Sequence, residues 1–239
     1  MNAPQALIAA LVVAVGALLQ GISGLGLNLF AAPILIMLQP YLIPGPIMAG
    51  ALLLNLMMVL RDHTGLDLRG IGWMAAGMLP GTILASFLLP LIPHRTLALL
   101  LGSLVLAGVL ASLTGFRFPP KRRVLLLAGF VSGLAGTLAS IGGPPVALVN
   151  QEMEPKKLRA TLSAYFILSG ITSLVVLVPA GRMGTLEAHL ALGLFPGVIL
   201  GFLCSSLFIS RLPRDATRYI LLVLSALSAL LLIVQQLLH

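Results

Sequence analysis

Two stretches of the sequence place glycines and small polar side chains inside long apolar runs, and they carry most of its chemistry. The first break, residues 20–35, offers the candidate site residues Ser23, Gly24, Gly26, Asn28 and Pro33. The second break, residues 132–147, offers Thr137, Ser140, Gly142, Gly143 and Pro144. Glycine lets other groups approach the backbone closely, and proline removes a donor. In lipid, such a break is stable only where it is buried in protein or faces a water-filled cavity.

The binding chemistry of these residues is neutral. All six acidic residues lie in loops or at segment ends, and no lysine or arginine lies in the middle of a segment. Proton relays and ion pathways usually depend on charges within the membrane, so the sequence does not support a carboxylate site for protons or sodium. Backbone N–H groups at the N-termini of half-helices remain, where the helix dipole is positive. We therefore predict a small anion held between the two breaks by these N–H groups and by nearby hydroxyl and amide side chains.

The breaks also indicate an internal duplication. They align without a gap at an offset of 112 residues, which places Asn28 on Ser140. A second pair of matching stretches, around Gly81 and Gly197, has an offset of 116 residues, so one small insertion would separate the two pairs. Interrupted apolar segments in matching halves are typical of transporter binding sites. The predicted units are a first membrane repeat at 1–116, a basic linker at 117–123 and a second membrane repeat at 124–239.

The composition indicates an all-α membrane protein that crosses the bilayer several times. Of the 239 residues, 59% are hydrophobic and only 8% are charged, whereas about a quarter are charged in ordinary soluble domains. The opening residues carry no basic side chain, so the first run is expected to belong to the mature protein rather than to a signal peptide. Eight hydrophobic segments are predicted, with the breaks inside the first and fifth: 5–39, 43–60, 70–92, 95–116, 124–149, 160–180, 186–210 and 216–237.

The distribution of the 14 basic residues favours breaks that enter the membrane and return. If all eight segments cross, seven basic residues fall on each side, and neither orientation is favoured. If the first and fifth segments are re-entrant, one side holds only Arg95 and Arg182 and the other holds the remaining twelve, as the positive-inside rule prefers. Three crossings in each half then invert the second half relative to the first, as in many secondary transporters. The alternative is eight full crossings, with glycine used only for close helix packing.

Three further residues have two interpretations each. Asn55, inside an apolar run, either faces the site or bonds a neighbouring helix. Arg159 either attracts or gates the anion or is an ordinary interfacial arginine. Tyr165 belongs to a polar face of the sixth segment, and this face either lines the site or joins helices.

Other functions are less well supported. The net charge of +8 is carried by short loops, which argues against nucleic-acid binding. Cys204 is the only cysteine and the four histidines are scattered, so no metal site and no cofactor are expected. Ser23 lies in a Gly-x-Ser-Gly sequence like that of intramembrane rhomboid proteases, and His189 is the only candidate for its base. Ala135 replaces this serine in the second break, which favours a structural repeat over a protease.

The order of the motifs resembles the sulfite exporter TauE/SafE family of membrane transporters over nearly the whole chain. In the first half the resemblance rests on the run ending at Pro33 and on Asn55, Arg61, Asp67-Leu68-Arg69 and Pro80-Gly81. In the second half it rests on Gly142-Gly143-Pro144-Pro145, Arg159-Ala160-Thr161 and Pro196-Gly197. Ser140 departs from the pattern, because a glycine is expected there.

The resemblance implies a secondary transporter, without enzymatic activity, for a small sulfur-containing anion such as sulfite, sulfoacetate or another organosulfonate. It also implies a multi-pass protein of the bacterial inner membrane, with the lipid bilayer as its other partner and export as the expected direction. A transporter of another small anion is the alternative. Uptake, the coupling ion and assembly as a homodimer are left open.

Overall fold

The computed structural model describes residues 2–114, 118–209 and 214–238, and this part of the chain is helical and has no β-strand. Its helices are α1 (Ala3–Ser23), α2 (Leu27–Leu38), α3 (Gly45–Arg61), α4 (Leu68–Leu88), α5 (His94–Leu113), α6 (Arg122–Ala139), α7 (Gly143–Val149), α8 (Pro155–Leu177), α9 (Thr185–Phe208) and α10 (Arg214–Leu238). Short 3-10 turns precede α3, at Pro40–Leu42, and follow α4, at Leu89–Leu91.

Eight helical stretches within the described residues are long and apolar enough to span a bilayer. They comprise α1, α3 with its preceding turn, α4 with its following turn, α5, α6, α8, α9 and residues 219–238 of α10. The other two helices are short: α2 has 12 residues and α7 has 7, against the roughly 20 that a crossing requires. The all-α polytopic class and the eight predicted segments are therefore confirmed.

Each break is a left-handed turn between a long helix and a short one. α1 ends in Gly24, with φ of 87°, and α6 ends in Ser140, with φ of 60°. Glycine adopts this conformation readily, and helices commonly end in such a residue. A residue with a side chain costs roughly 1–2 kcal/mol in this conformation, which explains why glycine is the expected residue at position 140.

The helix boundaries give the two breaks an offset of 116 residues rather than 112. The matching boundaries are Ser23 with Ala139 and Leu27 with Gly143. Gly81 and Gly197 share this offset, so no insertion is needed between the pairs. The gapless alignment of the breaks was wrong by four residues, and Asn28 corresponds to Pro144. Four residues are close to one helical turn, and small residues repeat at that spacing. The two breaks therefore show similar residue patterns in both registers.

Glycines bring pairs of long helices into backbone contact. α4 packs against α6, and α1 packs against α9. A Cβ on Gly81 would collide with the carbonyl oxygen of Phe130 in α6, and one on Gly197 with that of Ala10 in α1. Small residues that permit this approach are typical of helix packing in membranes. The matching Pro-Gly stretches of the sequence therefore make matching contacts, while α3 packs against α8 between the two pairs.

Candidate functional site

A cavity lies between the two breaks, with α3 and α8 forming its remaining walls. Its volume is about 50 Å³. The polar side chains that line it are Gln20, Asn28, Asn55, Ser140 and Ser169. The larger apolar ones are Leu25, Leu29, Met48, Leu52, Ile141 and Phe166. Both the breaks and the neighbouring helices therefore contribute polar as well as apolar side chains to the lining.

The cavity brings together seven of the residues that the sequence analysis singled out: Gly26, Asn28, Asn55, Ser140, Gly142, Gly143 and Pro144. The two breaks also touch, because Asn28 Nδ2 donates a hydrogen bond to the backbone oxygen of Ser140 (2.8 Å). Asn28 Oδ1 is buried and has no partner among the described residues. A buried acceptor without a partner is costly, so a water or a donor of the ligand is expected at this atom.

Gln20 is a residue of this site that the sequence analysis missed. It is 5% exposed, near the end of α1, and lines the cavity. Its Nε2 donates to Asn55 Oδ1 (3.1 Å), and its Oε1 accepts from the N–H of Leu27 (3.0 Å), the first residue of α2. Asn55 Nδ2 donates to the backbone oxygen of Ala51 (2.7 Å). A glutamine at the end of an apolar run is the signal that could have identified it, because buried amides are normally hydrogen-bonded.

The N-terminus of α2 keeps free donors beside the cavity. The glutamine takes the N–H of Leu27, but no acceptor in the described part of the chain takes that of Asn28 or Leu29, and both residues line the cavity. α7 is poorer in donors, because Pro144 and Pro145 occupy its second and third positions and have no N–H. The first break therefore supplies most of the donors, and the second supplies glycines that keep the space open.

Ser23, Thr137 and Pro33 lie outside the cavity lining, and the two hydroxyls have hydrogen-bond partners within the protein. The Ser23 hydroxyl is hydrogen-bonded to the backbone oxygens of Leu19 and Leu25, within its own turn. The Thr137 hydroxyl shares a hydrogen bond with Ser173 Oγ of α8 (2.9 Å). Pro33 is buried inside α2. These contacts stabilise the walls of the site rather than place the side chains in it.

Tyr165, Gly24 and Arg159 complete the set of predicted residues outside the lining. Tyr165 is fully buried in α8, where Ser132 of α6 interacts with its hydroxyl. Gly24 lies beside Arg159: a Cβ on this glycine would lie 3.1 Å from Cγ of the arginine.

Arg159 belongs to an ion cluster with Arg61 and Asp62. Arg159 Nε lies 2.9 Å from Asp62 Oδ2, and Arg61 Nη2 lies 3.2 Å from the same oxygen. Burial acts to raise the pKa of the Asp62 carboxyl, but the hydrogen bonds and charges of Arg159 and Arg61 outweigh it and lower the pKa. The carboxylate therefore stays ionised at neutral pH.

The ion cluster also holds the end of the first break. Arg61 Nη2 donates to the backbone oxygen of Gly21, near the C-terminus of α1, where the helix dipole is negative. Arg61 Nη1 donates to Ser205 Oγ of α9 (3.0 Å). Gly24 contacts Arg159, and the next residue, Leu25, lines the cavity. The turn between α1 and α2 therefore separates the cluster from the cavity.

The residues of the protease alternative do not form a catalytic pair. His189 Nδ1 lies 2.7 Å from the backbone oxygen of Thr185, and the ring is exposed at the start of α9. The Ser23 hydroxyl is hydrogen-bonded within its own turn. A serine nucleophile requires a base within hydrogen-bond reach, and no hydrogen bond joins these two side chains in the described part of the chain.

Eight span-length helical stretches and a polar cavity between two broken helices define a multi-pass membrane protein of the transporter class. A family model described as Sulfite exporter TauE/SafE matches residues 8–232, and the chain belongs to this family. The family consists of membrane transporters of the sulfite and anion type. No curated protein and no solved structure matches the chain.

Proposed function

We propose that the chain carries a small sulfur-containing oxyanion, with sulfite as the leading candidate, across the bacterial inner membrane, and that the cavity between the breaks is its binding site. The observation that carries the proposal is that this cavity joins the two breaks. Free N–H groups of Asn28 and Leu29 and the amides of Gln20 and Asn55 border it. Oriented donors at a helix N-terminus can bind an anion even where no positively charged side chain is present. Export is the proposed direction, in keeping with the description of the family.

The cavity volume favours a compact substrate. A single water requires roughly 10–15 Å³ of cavity volume, so about 50 Å³ accommodates a few waters or an anion with four or five non-hydrogen atoms. Sulfite fits this limit. Sulfoacetate and other organosulfonates are longer, and they would need the apolar wall around Leu52 and Phe166 to open.

We further propose that both breaks are re-entrant and that the two halves are inverted. Ala10 and Ala14 of α1 meet Gly197 and Gly201 of α9 in increasing order, so these helices run parallel. α1 therefore begins at the same end of the bundle as α9, which starts just after Arg182. The turn before α3 lies at that end too, since a Cβ on Gly45 would contact the backbone oxygen of Arg182. These contacts support a first break that returns to the side from which it came.

Substitution of Gly143 tests the proposed site. A side chain there would collide with Leu25 and fill the cavity, so we expect Gly143→Leu to lose most of the sulfite binding of the purified protein. Gly193→Leu is the matched control, because a Cβ on this α9 glycine meets nothing within 4 Å. Binding of sulfite, sulfoacetate, sulfate and acetate to the parent protein and to both variants is the measurement.

The outcomes separate the site from the substrate. Unchanged sulfite affinity in Gly143→Leu would place the site elsewhere in the protein. If the parent protein bound none of the four anions, the proposed substrate class would be wrong. Sulfoacetate that bound more tightly than sulfite would contradict the size argument and favour an organosulfonate transporter.

A further inference from the structure

The ion cluster of Arg61, Asp62 and Arg159 holds one more positive charge than its contacts balance. Two guanidinium groups share a single carboxylate oxygen, and the exposed fractions of the side chains are 18% for Arg61, 11% for Arg159 and 7% for Asp62. Among the described residues, Asp62 and Arg159 are the charged groups that act on Arg61, and the two arginines are those that act on Asp62. Buried charges in proteins are normally paired, so within the described part of the chain the cluster lacks one anion.

The two arginines differ in how many donors they have in use. Arg61 is committed to the protein, through the Gly21 carbonyl, Ser205, Ser206 and Asp62. Arg159 uses Nε alone, and no acceptor in the described part of the chain takes its two terminal nitrogens. A guanidinium with both terminal nitrogens free presents the fork that binds an oxyanion through two parallel hydrogen bonds.

The position of this fork connects it with the cavity. Arg159 contacts Gly24, the left-handed residue of the α1–α2 turn, and Leu25 on the other side of the turn lines the cavity. We propose that the Arg159 fork is a second oxyanion site, outside the cavity, from which the anion exchanges with the cavity across this turn. The exchange step rests on the proposed function, whereas anion binding at Arg159 does not.

Asp62 acts in this site as a tethered competitor. Its carboxylate occupies Nε of Arg159 and neutralises one of the two positive charges. Binding of a free anion is thereby weakened, so that the anion can leave again toward the cavity. The ligand class is an oxyanion with two adjacent acceptor oxygens, such as sulfite or a sulfonate head group, because these match the fork.

The test uses a protein whose cavity is blocked. In Gly143→Leu we expect weak residual binding of sulfite, measured by calorimetry on the purified protein at low salt. Adding Arg159→Gln should weaken this residual binding about tenfold or more, the effect of losing a charge-assisted hydrogen bond. Adding Asp62→Asn should instead tighten it several-fold, since the competing carboxylate is gone.

Lys157→Gln is the matched control, because it removes the same charge from an exposed position on the same helix, two residues before Arg159. Arg159→Lys keeps the charge without the fork and should give an intermediate loss. Thermal unfolding of each variant separates loss of binding from loss of fold. Arg159→Lys keeps the test decisive if Asp62→Asn does not fold.

Each outcome decides between the two proposals. If Arg159→Gln changed the residual binding no more than Lys157→Gln does, or if Gly143→Leu bound no sulfite at all, the second site would be wrong and the cavity proposal would stand. Full binding in Gly143→Leu that depended on Arg159 would confirm the second site and overturn the cavity as the primary one.

Discussion

The first and second breaks end a long helix in a left-handed residue and begin a short helix three residues later, yet they are built from different residues. Gly24 makes the turn in the first break and Ser140 makes it in the second. The first break has Gln20 before its turn, whereas the second has Gly136 at the matching position, four residues before Ser140. One backbone shape therefore supports two different surfaces.

Because of this difference, the two breaks contribute different groups to the cavity. The first break provides an amide side chain and a 12-residue helix with free N–H groups at its start. The second provides glycines and two prolines, which leave space and few donors. A symmetric backbone with asymmetric side chains gives a pocket whose donors lie mainly on one side. Three predictions test this comparison.

The largest effect is expected from labelling, because the proposed inversion gives an all-or-none result. In a Cys204→Ser background, Ala3→Cys and Tyr41→Cys should react with a membrane-impermeant thiol reagent from one side of the membrane. Lys121→Cys and Glu154→Cys, which flank the second break, should react only from the other side. Labelling of the first pair from opposite sides would mean that α1 and α2 together cross the membrane, and the two breaks would no longer be comparable hairpins.

A smaller but substantial effect is expected from Gln20→Leu. The change leaves the N–H of Leu27 and Oδ1 of Asn55 without their partner, and each buried group left unpaired costs about 1–3 kcal/mol of unfolding free energy. We expect both stability and sulfite affinity to fall.

Thr82→Val is the control for Gln20→Leu, because Thr82 is a buried polar residue that contacts Thr137 outside the cavity. This change should lower stability without changing affinity. Sulfite affinity that was equal in Gln20→Leu and the parent protein would show that the first break does not supply the donors.

The smallest effects are expected at the two turns. Gly24→Ala should cost about 1–2 kcal/mol of unfolding free energy, since alanine is strained in the left-handed region, and its Cβ also approaches Arg159. Ser140→Gly should be nearly neutral, because relief of the same strain offsets loss of the 3.3 Å hydrogen bond to the backbone oxygen of Pro44. Chemical unfolding of the purified variants measures both. Equal destabilisation by the two changes would mean that the contacts of the Ser140 side chain contribute more to stability than relief of the backbone strain would gain.

The sequence was most informative about the elements. Its apolar runs predicted all eight spans, and the Gly/Pro interruptions located both turns, because membrane helices need long apolar stretches and breaks stand out within them. It was less informative about register: small residues that recur once per helical turn aligned the breaks four residues away from the offset that the helices show. The hydrophobic pattern identifies a segment. It does not fix the register, because a shift of about one turn places residues on the same face of the helix.

The assembly of the candidate site shows what only the tertiary structure decided. The sequence by itself determined the helical membrane class, the two breaks and the absence of charge in the middle of the segments. Only the packed structure brought Gln20 to Asn55 and Asn28 to Ser140, and only it turned the hydroxyls of Ser23 and Thr137 toward protein partners. It also joined Arg159 to Asp62, which lies 97 positions earlier in the chain. The reason is physical: composition fixes which segments leave water, whereas the partner of each buried polar group depends on which helices pack together and in what register.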